Sequence, residues 1–190
     1  DLFFGSNQHD NKLFLNEGNL HFKDVTKVAN IIPDGGWTTG ISVIDINNDG
    51  LMDVYVCRVG NYEILKSKNQ LLINKGIDKN GLPTFKDEAA MYGLDFSGFS
   101  TQAAFFDYDN DGDLDVVVNN INDPVLLYEN KASKKENKNF VDIKLKGSEN
   151  NTYAVGSKLA LFVRDKIQLY ENNPARGFMS SMVIPMHIGF

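Results

Sequence analysis

The strongest constraint on this chain is that it repeats itself. Residues 37–53 read WTTGISVIDINNDGLMD and residues 99–115 read FSTQAAFFDYDNDGDLD. Their leading aspartates, Asp45 and Asp107, lie 62 positions apart. A β-branched run follows each segment, Val54 to Cys57 in one case and Val116 to Val118 in the other. The stretch from Asp1 to Ser6 reads as the same post-loop strand, which aligns Asp1 with Asp53 and Asp115. A second signature follows. Asn11 to Gly18 (NKLFLNEG) matches Asn69 to Gly76 (NQLLINKG), and Pro124 to Asn130 is a looser copy. A third pairs Phe22-Lys-Asp-Val25 with Phe85-Lys-Asp-Glu88. Each unit therefore predicts four short strands: before the Asp loop, after it, ending in Asn, and around Phe-x-Asp. Gly35-Gly36, Gly76 and Asn80-Gly81 mark turns between them. Four-stranded units in tandem point to propeller blades, which bury their faces by stacking on one another.

The pattern changes after Asn130. Lys131 to Asn139 is a polar, lysine-rich connector, and Phe140-Val-Asp-Ile-Lys-Leu145 alternates like a strand. Lys158–Val163 and Lys166–Glu171 read as a hairpin with Arg164-Asp165 at its turn. The expected fold is all-β: residues 1–138 form a partial β-propeller of tandem four-stranded blades, and residues 139–190 a small truncated β module. Fewer than three blades are present, and the chain reads as an excerpt that begins at the last ligand of a loop.

The acids are concentrated where the repeat is. Both loops follow Asp-x-(Asp/Asn)-x-Asp-Gly-x-x-Asp. Calcium takes about six to eight oxygen ligands, and a short loop supplies most of them. Positions 1, 3, 5 and 9 offer side-chain oxygens, and position 7 a backbone carbonyl. The first loop would use Asp45, Asn47, Asp49, the Leu51 carbonyl and Asp53. The second would use Asp107, Asp109, Asp111, the Asp113 carbonyl and Asp115. Gly50 and Gly112 occupy position 6, where the backbone turns sharply. Two complete Ca2+ sites are expected. Magnesium demands stricter octahedral geometry, and zinc wants His or Cys, which these positions lack. An EF-hand would need Glu at position 12 and flanking helices, but Val56 and Val118 stand there in strand-like runs.

Other function classes find little support. The net charge of −6 disfavours nucleic acid and anionic lipid as partners. No apolar run is long enough to span a bilayer, and no signal peptide is legible. Cys57 is the single cysteine, so no internal disulfide forms. His9, His21 and His187 are scattered, and His187 reads as structural. Ser180 and Ser181 lack a nucleophile elbow. Glu171 and Arg176 read as a solvated rim, and Trp37, the single tryptophan, as blade packing. No acid/base set marks an enzyme.

The repeats resemble FG-GAP/VCBS units, the blades of integrin-like β-propellers. The likeness rests on Gly40 to Asp53 and Ala103 to Asp115, with the Asn-x-Leu-x-x-Asn and Phe-x-Asp strands. It implies that each Asp loop joins the first two strands of a blade and binds calcium. The C-terminal stretch resembles the ASPIC/UnbV module that follows such repeats in proteins similar to cartilage acidic protein. The matching residues are Leu145 to Gly147, Asn151 to Gly156, Gly177 to Ser181 and His187 to Phe190. The expected function is a calcium-binding, non-catalytic recognition or adhesion module. Its location would be extracellular, periplasmic or at the cell surface, with an extracellular protein or glycan as partner. The alternatives are a calcium-stabilised fragment of a polysaccharide-active enzyme and a purely structural spacer.

Overall fold

The computed structural model describes residues 1–7, 9–32, 35–64, 66–131, 139–164, 166–175, 180–183 and 185–190. Most of the lysine-rich connector, the boundary at residue 138, Asp165, Arg176 and Gly177 to Met179 lie outside the described residues. The rest is almost wholly antiparallel β structure in several small open sheets.

The first sheet holds β1 (Leu2–Phe4), β2 (Lys12–Gly18) and β3 (His21–Asp24). The second is a complete four-stranded unit of β4 (Trp37–Ile44), β5 (Asp53–Val59), β6 (Gln70–Ile77) and β7 (Pro83–Asp87), paired in chain order. The third holds β8 (Ser100–Phe106), β9 (Asp115–Asn120) and β10 (Leu126–Tyr128). The register repeats with the sequence. Ile44 pairs with Asp53 and Phe106 with Asp115, closing the two Asp loops at the same rung. A bulge between Thr38 and Gly40 recurs between Ser100 and Gln102. Isolated bridges Asn7↔Trp37 and Val59↔Phe99 hand the chain from one unit to the next at equivalent places.

Strand β5 explains why the units stack. All seven of its residues are buried, so both of its faces are covered. Period-2 alternation divides its apolar side chains between two cores. Tyr55 and Cys57 join Leu71, Ile73, Ala103, Phe105, Val116 and Val118, on the side of the third sheet. Val54 and Val56 join Leu13, Val25, Ala29, Ile31, Leu72 and Phe85, on the side of the first. Each fully buried Val, Leu or Phe contributes about 1.5–3 kcal/mol, so these inter-sheet cores dominate the stability. Polar ties accompany them. Thr39 Oγ1 donates to Ser100 O at 2.6 Å, and Ser42 Oγ to Ala103 O at 2.8 Å. Trp37 begins β4 half-buried and meets Tyr62 edge-on, with ring centroids 6.4 Å apart.

One short helix departs from the all-strand expectation. After β7 comes α1 (Ala89–Tyr92), closed by Gly93 at φ 73°. It places Ala89 and Leu94 in the core of Tyr55 and Cys57, and Leu94 O accepts the buried Tyr55 hydroxyl at 3.0 Å. Four residues are too few to register as a helical period in sequence.

In the C-terminal module β11 (Phe140–Ile143) pairs with β14 (Met186–Gly189). The hairpin of β12 (Lys158–Val163) and β13 (Lys166–Glu171) forms as expected, with Arg164 at φ 51° in its turn. A 3-10 turn covers Glu149–Asn151. Among the described residues of this module, Ala154 and Ile188 are the buried apolar side chains. Its strands lean on the loops of the repeat region rather than on a core of their own.

Candidate metal centre

Both Asp loops connect the first two strands of their sheets, β4 to β5 and β8 to β9. Their internal hydrogen bonds agree one for one. In the first, Asp45 Oδ1 and Oδ2 accept the N–H groups of Asp49 and Gly50 at 3.0 and 2.9 Å. In the second, Asp107 accepts those of Asp111 and Gly112 at 3.1 and 3.0 Å. Asn47 Oδ1 also accepts from Asp49 N, and Asp109 Oδ1 from Asp111 N, at 3.1 and 3.2 Å. Asp49 accepts from Leu51 N, and Asp111 from Asp113 N, at 2.9 and 3.1 Å. Such bonds hold the loop in shape while each carboxylate oxygen keeps a lone pair for a cation. Gly50 and Gly112 adopt φ of +79° and +91°, the left-handed region where a Cβ is strained.

The last aspartate does a second job. Asp53 Oδ2 accepts Ile46 N at 3.1 Å, and Oδ1 accepts Asn74 N at 2.8 Å. Asp115 repeats this with Tyr108 N at 3.0 Å and Asn130 N at 2.7 Å. Asp1 Oδ1 accepts Asn16 N at 2.9 Å, the same tie to the same strand-ending Asn. The alignment of Asp1 with Asp53 and Asp115 therefore holds in three dimensions. The repeated Asn was visible in sequence, but its bond to the Asp loop was not.

Asp107, Asp109 and Asp115 each offer a carboxylate oxygen, and these oxygens lie within 4.8 Å of one another. Among the described residues this is the group of acidic, His or Cys side chains that the fold draws together in this way. Asp111 stays outside it. In the first loop Asn47 takes the place of Asp109, so an amide oxygen stands where the second loop has a carboxylate. The residue set suits a hard divalent cation: oxygen donors, a left-handed Gly at the turn, and clustered negative charge.

Electrostatics mark the same residues. Burial pushes the Asp53 carboxyl up to about 7, with Asp49 and Asp45 adding repulsion, while N–H groups of Asn74 and Ile46 oppose the rise. Asp45 and Asp115 are raised for the same first reason, desolvation. A buried carboxylate held above its ordinary range is costly to ionise unless a cation joins it.

Sequence reasoning missed Asn48. It is buried at position 4 of the first loop, and its Nδ2 donates to Gly112 O of the second loop at 3.2 Å. Its Oδ1 lies 2.8 Å from His187 Nε2. Asp113, expected to contribute through its carbonyl, buries its side chain and turns Oδ1 toward Asn48 Nδ2 at 3.5 Å.

Residues 1–56 match the model for the FG-GAP-like repeat, and residues 147–190 match that for ASPIC and UnbV. The chain carries both modules. The FG-GAP match includes the first Asp loop, and the hydrogen bonds above tie the second loop to it. The ASPIC/UnbV match runs through the β12–β13 hairpin and β14. The pairing is that of an extracellular-type repeat module. No curated protein matches the chain. Among the described residues, no helix is long and apolar enough to cross a membrane.

Proposed function

We propose that this chain is a calcium-binding, non-catalytic recognition or adhesion module that works outside the cell or on its surface. The observation that carries this reading is the convergence of Asp107, Asp109 and Asp115 within 4.8 Å, on a loop scaffold duplicated at Asp45 to Asp53. Asp107, Asp109, Asp111, Asp115 and the Asp113 carbonyl would hold one ion. Asp45, Asn47, Asp49, Asp53 and the Leu51 carbonyl would hold the other. A bound ion would neutralise carboxylates that otherwise repel across the loop. The chain's own residues do the rest: Asp53 and Asp115 fasten the loop to the third strand, and Gly50 and Gly112 allow the turn. Extracellular calcium is abundant enough to fill sites of modest affinity, which favours an exported location. Partner recognition then belongs to surfaces that the rigid loops display, with protein or glycan as the partner class.

Calorimetric titration of metal-free protein with calcium tests the reading. Two sites are expected, with weaker or no response to magnesium. Absence of calcium binding at millimolar concentration would overturn it.

A further inference from the structure

The rim of the two Asp loops is covered by the ASPIC/UnbV module. His187 Nε2 meets Asn48 Oδ1 at 2.8 Å, and its Nδ1 meets Asp142 Oδ1, on the neighbouring strand, at 2.8 Å. Phe140 stacks on the His187 ring, with centroids 5.0 Å apart and planes 20° from parallel. The Phe140 ring fills the space a Cβ on Gly112 would occupy. Gly189 lies against the Asn48 backbone and Asp45 Oδ2, so closely that a side chain there would collide with both. Gln168 Nε2 donates to Gly50 O at 3.3 Å.

These contacts share one property. They fall on Asp45, Asn48 and Gly50 of the first loop and on Gly112 of the second, where the backbone shape depends on left-handed Asn48, Gly50 and Gly112 and on the Asp45 and Asp107 carboxylates. They come from β11, β13 and β14, strands with little buried apolar material of their own. The module thus docks on the loop backbone, and Asn48 ties it to both loops at once.

We propose that the ASPIC/UnbV module is a cap on the two Asp loops, and that its docking through Asn48 is linked to calcium loading. The proposal rests on the calcium reading above. Empty loops carry clustered, mutually repelling carboxylates and loosen the surface that His187, Gln168 and Gly189 read. Filled loops hold that surface in place. Linkage is reciprocal, so the docked module in turn raises calcium affinity.

The test uses the full chain with fluorophores at Lys79→Cys and Lys158→Cys, both exposed positions, one on each side of the interface. Cys57 does not compete for label, because it is buried and its thiol is pushed up to about 12. Energy transfer is followed as calcium is added, and calorimetry on the same sample counts the sites. The variant is Asn48→Gly, which keeps the left-handed backbone and deletes the bridge from the blade side without touching the module. In the parent chain, calcium should raise the docking equilibrium constant read from energy transfer by about tenfold, within the usual range of coupling between sites. In Asn48→Gly both sites should still fill, with calcium changing that constant by no more than about twofold. Two sites filling with unchanged energy transfer in the parent chain would overturn the cap and leave the calcium reading standing. Equal responses in parent and variant would overturn the role of Asn48. No calcium heat at all would remove both readings together.

Discussion

Replacing Asp109 by Ala separates a loop's ligand role from its structural one. Asp109 is exposed, and its one intraloop bond, from Asp111 N, is duplicated by Asp107 Oδ1 at 3.1 Å. In chelator the substitution should therefore change stability by no more than about 0.5 kcal/mol, as exposed substitutions usually do. For a chain of this size 1 kcal/mol moves the melting temperature by about 2–4 °C, so Tm should stay within about 2 °C. Calcium changes the comparison. At a free concentration about 100-fold above Kd, one site stabilises by about 2.7 kcal/mol, or roughly 5–10 °C. Two sites give about twice that rise in the parent chain. Asp109→Ala removes one of the three converging carboxylates and should lose about half of it. Scanning calorimetry in calcium and in chelator reads both quantities. An equal fall in Tm under both conditions would refute the ligand assignment, and a parent Tm indifferent to calcium would refute the site itself.

Three further outcomes follow from the same structure. Asp53 has a folded-state pKa raised from 3.8 to about 7, so the native state keeps its proton to higher pH than the unfolded chain. Its contribution is fully present below about 3.8 and lost as pH rises through about 7. Asp45 and Asp115 act in the same direction, whereas Glu88, lowered by Lys75 and Lys86, acts below its ordinary 4.5. Thermal melts of chelated protein should therefore give a higher Tm at pH 5 than at pH 7.5, and excess calcium, which needs ionised carboxylates, should reverse the order. Gly112→Ala places a Cβ at φ +91° and against the Phe140 ring. It should cost about 1–3 kcal/mol even in chelator, seen as a Tm lower by about 2 °C or more. Tyr55→Phe removes a fully buried hydroxyl that donates to Leu94 O and accepts from Asn69 Nδ2, both at 3.0 Å. Denaturant titration should show a loss of about 1–3 kcal/mol with an unchanged m-value.

Much of the fold is legible in sequence because its signals are local. The DxNxDG and DxDxDG loops, the β-branched runs after them, and the Asn-ending strands each lie within one strand and its turn. They locate β4 to β9, the closing rungs at Asp53 and Asp115, and the C-terminal hairpin. Other features escape for physical reasons. The α1 helix is a single turn. The complete burial of β5 depends on which sheets cover its two faces, and Val-Tyr-Val-Cys alone does not say that Val54 and Val56 turn to one core while Tyr55 and Cys57 turn to another.

By itself the sequence determined the repeat, its period and the candidate ligand positions, since a cation loop is written in consecutive residues. Tertiary structure decided how the loops are finished. It set Asp109, rather than Asp111, beside Asp107 and Asp115. It joined Asp1, Asp53 and Asp115 to Asn16, Asn74 and Asn130. It also brought His187 to Asn48 across 139 positions of chain. Contacts of that length depend on how whole sheets stack and dock, and no window of neighbouring residues encodes them.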